Sequence, residues 1–135
     1  VYKKSRTEGF GQEVKRRIML GTFVLSSGYY DAYYTKAQKV RRILLEKTNQ
    51  IFADHDFILC PTTPHTAFEL GNTSDDPTQA YLEDIFTVHA NIVGCPAISL
   101  PKGKHSNGKP FGIQLMAPSF KDKELLAFSE QIMNI

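Results

Sequence analysis

Asp56-Phe57-Ile58-Leu59-Cys60-Pro61 decides what kind of fold this chain can have. Its apolar run is too short for a helix, and Pro61 closes it by removing an N–H from any ladder. The stretch reads as a buried strand whose end lies in the interior. On its N-terminal side, Tyr30, Tyr33, Tyr34, Ala37, Val40, Leu44, Thr48, Ile51 and Phe52 recur at helical spacing, with Lys and Arg between them. That pattern predicts one long amphipathic helix leading into the strand, with Asp31 in its first turn favoured by the helix dipole. Further upstream, Val14, Ile18, Met19 and Leu25 give a second helical stripe from Gln12 to about Leu25, and Gly28 offers its stop.

On the C-terminal side, residues 61 to 78 hold Pro61, Pro64, Pro77, Gly71 and Asn72-Thr73-Ser74-Asp75-Asp76, the chemistry of a long loop. Loops of that length are often functional. Tyr81, Ile85, Val88, His89 and Ile92 resume a helical stripe that Gly94 and Pro96 end. Ala97 to Leu100 and Phe111 to Met116 read as the strands of a hairpin, joined through a turn that contains Asn107-Gly108. Asp122 is placed to cap a last helix through Leu125, Leu126, Ser129, Ile132 and Met133. This order of elements predicts an α/β chain in which helices cover a small mixed sheet.

At 135 residues the chain is one domain or part of one. No apolar run approaches the roughly 20 residues that a membrane-spanning helix needs. A formal net charge of +2 gives no basic footprint for nucleic acid. Cys60 and Cys95 cannot make a disulfide framework, and no signal-peptide pattern opens the chain, so a reducing cytoplasm is the expected compartment. Val1 leads without an initiator Met into Tyr2-Lys3-Lys4-Ser5-Arg6, which reads as the start of an excised piece.

Few residues suggest chemistry by spacing. Ser26-Ser27-Gly28 lacks the Gly-x-Ser-x-Gly elbow of a nucleophile and reads as capping chemistry. Cys60, His65, His89 and Cys95 fit neither CxxC nor HExxH spacing, and both cysteines read as small buried hydrophobes. Lys36, Lys39, Arg41, Arg42 and Lys47 give the long helix a basic side, read as solvated. Asp75-Asp76 and Glu83-Asp84 are adjacent pairs, and adjacent carboxylates diverge on a helix, so neither pair is a two-carboxylate site. Glu13 and Arg17 are spaced for an ordinary surface ion pair worth about 0.3 to 0.5 kcal/mol.

Longer blocks carry more. The run Ser5-Arg6-Thr7-Glu8-Gly9-Phe10-Gly11-Gln12-Glu13-Val14-Lys15-Arg16-Arg17-Ile18 is followed by Ser27-Gly28-Tyr29-Tyr30-Asp31-Ala32-Tyr33-Tyr34 and Pro61-Thr62-Thr63-Pro64. Lys36-Ala37-Gln38-Lys39-Val40-Arg41, Tyr81-Leu82-Glu83-Asp84-Ile85-Phe86-Thr87 and Pro110-Phe111-Gly112-Ile113-Gln114-Leu115 complete the set. Together they resemble the amidase signature family, and within it the glutaminase subunits of tRNA-dependent amidotransferases. The resemblance covers essentially the whole chain.

It implies an α/β/α sandwich of which residues 1–135 are the C-terminal part of a single amidase domain. The family's Ser, cis-Ser, Lys triad lies in a Gly/Ser-rich signature with no match here, so no catalytic residue is expected in this chain and the piece alone is expected to be inactive. What carries over is substrate binding. Arg17, of the Lys15-Arg16-Arg17-Ile18 block, would fork onto a glutamine α-carboxylate, with Arg16 as the adjacent alternative. Asp84 would accept from the α-ammonium. The resemblance further implies B and C subunits as partners, with ATP and Mg²⁺ used by the B subunit, misacylated tRNA bound by the complex, and no cofactor in this chain. A hydrolase of neutral amides and a stand-alone interaction module are the alternatives.

Overall fold

The computed structural model describes residues 2–71 and 77–134. The loop segment Asn72-Thr73-Ser74-Asp75-Asp76, with its acidic pair, lies outside the described residues. The chain divides into two compact units, residues 1–42 and residues 43–135.

The first unit is helical. Helix α1, Tyr2–Glu8, falls where the charged opening gave no periodic signal. Local pairs support it, with the Thr7 hydroxyl donating to the Lys3 carbonyl at 2.8 Å and Lys4 facing Glu8 one turn on. Helix α2, Gln12–Val24, is the expected upstream helix, and it ends in a turn in which the Ser26 hydroxyl donates to the Phe23 carbonyl at 2.7 Å. Ser26 thus satisfies a carbonyl at the end of α2, whereas the N-cap of the next helical segment is Tyr29, without a side-chain cap, so the stretch does not supply the N-cap read from the sequence. Helix α2 buries none of its residues, and Ile18 is 52% exposed. The long helix begins as a π-helical segment, Tyr30–Thr35, before α3, Lys36–Asp54. Its tyrosines pack locally: the Phe23 and Tyr29 rings lie 4.3 Å apart, and the Tyr30 and Tyr34 rings 4.9 Å.

The second unit is built on a three-stranded sheet in the order β1-β3-β2. Strand β1 is Ile58–Pro61, β2 is Ala97–Lys104 and β3 is Pro110–Met116. Both pairings are antiparallel, and for β2–β3 the short hairpin connection requires it. The hairpin closes where the His105 N–H donates to the Lys109 carbonyl at 2.8 Å. The expectation of a buried strand at 56–60 needs correction. Strand β1 is an edge, its residues alternate in burial, and Leu59 is 60% exposed. Strand β3 takes the centre because both other strands pair with it.

Central position makes β3 the buried strand. Leu115 points to one face, where it joins Ala117 and Leu125 in a core flanked by Phe57, Ile98, Phe128 and Ile132. Leu125 and Ser129 bring helix α6, Asp122–Met133, onto that face. The Phe57 and Phe128 rings stack 4.6 Å apart. Gln114 and Met116 face the other way, because side chains alternate along a strand. Asp122 does not cap α6; Lys121 holds the N-cap position, and Asp122 lies in the first turn, where the helix dipole still favours its charge.

The single stripe expected from Tyr81 to Ile92 is two helices, α4, Pro77–Leu82, and α5, Ile85–Val93. A turn at Glu83-Asp84 separates them, with the Asp84 N–H donating to the Tyr81 carbonyl at 3.3 Å. Aspartate favours N-cap positions over helix interiors, and Asp84 is the N-cap of α5. Gly94 ends α5 at φ 73°, a left-handed conformation that costs any other residue about 1–2 kcal/mol.

Candidate functional site

The strand end and the α4–α5 turn meet at one groove. Pro61 brings no N–H to the β1–β3 ladder, which ends one residue on where the Thr62 N–H donates to the Gly112 carbonyl at 3.1 Å, and Thr63-Pro64-His65-Thr66 continue beyond it as a loop. Across from it stands the Glu83-Asp84 turn. Thr62, His65, Glu83, Asp84, Ser99 and Gly112 are among the residues lining the resulting open groove of about 560 Å³.

Asp84 is exposed in this groove. Its backbone carbonyl accepts the first α5 hydrogen bond from the Val88 N–H at 2.8 Å, and a second from the Thr87 hydroxyl at 3.1 Å. Its carboxylate makes no capping hydrogen bond, so it is not used up in holding the helix start. Glu83 is engaged differently: its Oε1 lies 3.3 Å from His65 Nδ1, an ion pair when the imidazole is protonated. The pair ties the proline-rich loop to the turn that carries Asp84. Among the described residues no lysine or arginine lines the groove, so the formal side-chain charge of this lining is negative wherever His65 is neutral. At its margin the Lys109 Nζ donates to the carbonyl of Ala67, which is part of the lining.

Gln114 fixes the turn to the sheet. It is 4% exposed, at the centre of β3, and its Nε2 donates to the Phe86 carbonyl at 3.0 Å, two residues beyond Asp84. The Cys60 and Met116 sulfurs lie 3.6 Å and 3.4 Å from the same nitrogen. Burial pushes the Cys60 thiol pKa up, partly opposed by the Gln114 hydrogen bond. Burial also raises that of Cys95. Both thiols therefore stay protonated and weakly nucleophilic near neutral pH.

Three of the four groups of the rejected zinc arrangement face other residues. His65 faces Glu83, and Cys60 faces Gln114. His89 Nε2 lies 2.9 Å from the Thr48 hydroxyl, whose one hydrogen goes to the Leu44 carbonyl at 2.8 Å. Among the described residues no cluster of three metal-ligating side chains exists.

Arg17 lies on α2 in the first unit, and Asp84 in the second. Arg17 Nε donates to Glu13 Oε1 at 3.1 Å and Arg16 Nη1 to Glu13 Oε2 at 3.0 Å, so one carboxylate holds both guanidinium groups on the exposed side of α2. The surface pair expected for Arg17 is therefore present. Thr62, Ser99, Gly112 and Gln114 were not singled out by spacing. Three of them lie in the Pro61–Pro64 and Pro110–Leu115 blocks, which were the available signal.

A strand end, a proline-rich loop and a helix start are thus arranged around one open groove that carries two carboxylates. The chain belongs to the Amidase family, whose profile matches residues 1–126. The similarity extends to particular members. Over 126 residues it is 59% identical to the A subunit of the glutamyl-tRNA(Gln) amidotransferase of Brevibacillus brevis, covering 93% of this chain and 26% of that protein. The protein of the same name from Azotobacter vinelandii is 54% identical over 97% of this chain and 27% of its own length. The crystal structure of the corresponding Thermotoga maritima glutamyl-tRNA(Gln) amidotransferase chain superposes with a TM-score of 0.67 at 47% identity, covering 90% of this chain and 27% of that one. This chain thus spans little more than a quarter of the length of these relatives. The allophanate hydrolase of Kluyveromyces lactis, at 24% identity and a TM-score of 0.70 over 91% of this chain and 19% of that one, shares the fold.

Proposed function

We propose that this chain is the glutamine-recognising part of the glutaminase subunit of a tRNA-dependent amidotransferase, the C-terminal portion of its single amidase domain. The observation that carries the proposal is the similarity, at 50–59% identity over nearly all of this chain, to proteins named as the A subunit of glutamyl-tRNA(Gln) amidotransferase. The anionic groove supports it from the chemistry side. Asp84 accepts from the α-ammonium of glutamine, and Arg17 forks onto the α-carboxylate, a planar geometry that an ammonium could not match. A hydrolase of neutral amides would have no use for two opposite charges.

In this proposal the Ser, cis-Ser, Lys triad stands outside residues 1–135 and cleaves the amide through an acyl-enzyme. The released ammonia passes to a B subunit, which uses ATP and Mg²⁺ to activate the side chain of misacylated Glu-tRNA(Gln), or Asp-tRNA(Asn), while a C subunit braces the pair. The whole enzyme is then a carbon–nitrogen ligase working in the cytoplasm. This chain binds no cofactor itself and does not hydrolyse glutamine alone.

The test separates nitrogen donors in the full-length complex. Arg17→Ala and Asp84→Asn are each expected to raise the KM for glutamine by about 10- to 100-fold, the loss of one charge-assisted contact, while amidation from free ammonia stays within about twofold of the parent. Equal losses with both donors would remove the glutamine-binding role.

A further inference from the structure

The two edge strands of the sheet meet where they should not be able to. Strands β1 and β2 flank β3, and strands that are two apart in a sheet are separated by about 10 Å. Yet the hydroxyl oxygens of Thr62, just past the end of β1, and Ser99, within β2, lie 2.7 Å apart. They meet above Gly112 of the central strand, whose carbonyl accepts the Thr62 N–H at 3.1 Å. A Cβ at Gly112 would lie 3.0 Å from Thr62 Oγ1 and 3.2 Å from both Ser99 Oγ and the Leu100 carbonyl oxygen. These are tight contacts, so a side chain at Gly112 would press on the hydroxyl bridge.

The bridge is on the wall of the groove that holds Asp84, and both hydroxyl residues line it. Two hydroxyls bring two hydrogens and four lone pairs; one hydrogen and one lone pair are consumed between them. The remaining lone pairs are acceptors beside two carboxylates, with no lysine or arginine among the described residues of the lining. An ammonium group has three N–H donors pointing in different directions, which a single carboxylate does not satisfy. We infer that the Thr62–Ser99 hydroxyl pair is a second acceptor for the ligand's ammonium, with Gly112 as the residue that makes room for it. The inference rests on the proposal that Asp84 receives this ammonium, and it assigns the groove to an α-amino acid amide over a plain carboxylic-acid amide.

The test uses the full-length protein and two amides, glutamine and 4-carbamoylbutanoate, which is glutamine without its α-amino group. The readout is the ratio of their kcat/KM values from ammonia release, so that a general loss of folded enzyme cancels. Ser99→Ala and the near-isosteric Thr62→Val are each expected to lower the preference for glutamine by about tenfold, and Ser99→Thr to restore most of it. An unchanged ratio in both variants would overturn the inference. If Asp84→Asn lowers the ratio while the hydroxyl variants do not, the hydroxyl pair fails and the Asp84 proposal stands. If none of the variants moves the ratio, both fall.

Discussion

Residues 1–42 and residues 43–135 both carry amphipathic helices, and only the second unit buries the apolar side. Helices α1 and α2 have no buried residue, whereas α5 and α6 bury Ala90, Val93 and Leu125 against a sheet whose central Leu115 is 1% exposed. Periodicity is the same kind of signal in both places. It fixes which side of a helix is apolar and leaves open whether a partner covers that side. In the second unit the partner is the sheet, whose central strand also holds the start of α5 through the Gln114 bond to the Phe86 carbonyl. In the first unit, Arg17 stands on a helix supported by local pairs.

The largest expected effect tests that contrast head-on. Leu115→Ala in this chain should cost about 2–5 kcal/mol in urea unfolding, because it empties a position that the structure cannot refill. Ile18→Ala should cost under about 1 kcal/mol, since little apolar area leaves water at a half-exposed site. Equal costs would break the comparison.

A smaller effect sharpens it. Gln114→Leu keeps the bulk but leaves the Phe86 carbonyl without its donor, for a loss of about 1–3 kcal/mol. Because the bond holds the turn carrying Asp84, the same substitution in the full-length protein should also weaken glutamine binding, seen as a raised KM with a smaller change in kcat. A stability loss with an unaltered KM would show that the turn keeps its place without Gln114. The smallest effect belongs to the first unit: Glu13→Ala, which removes the carboxylate that Arg16 and Arg17 share, should change stability by about 0.5 kcal/mol or less and less still in high salt, where exposed charges are screened.

Much of the fold was legible in the residues. The apolar repeat of α2, the Asn107-Gly108 turn of the hairpin and the stripe of α6 each follow from local rules that the structure obeys. What escaped was set by tertiary neighbours. Strand β1 reads as buried because Phe57-Ile58-Leu59-Cys60 is uniformly apolar, yet its edge position follows from β3 pairing on both sides, which a run of residues cannot specify. The break at Glu83-Asp84 was hidden because Tyr81, Ile85 and Val88 keep helical spacing across it, although Asp84 itself is a common N-cap residue. Asp84 and Arg17 as site residues came from the resemblance of long blocks, since spacing alone gave Arg17 only its Glu13 partner. Ser99 had no signal at all: its meeting with Thr62 depends on strand order and on the absence of a side chain at Gly112.

The central claim is that glutamine is held at the Asp84 groove and at the Arg17 block. Hydrogen exchange on the full-length protein, its nucleophile replaced so that bound glutamine persists, tests it directly. Glutamine should slow exchange in peptides covering residues 12–24 and in those covering 61–68 and 83–88, and Asp84→Asn should abolish the protection at 83–88. Protection by glutamine that leaves 83–88 untouched would contradict the account.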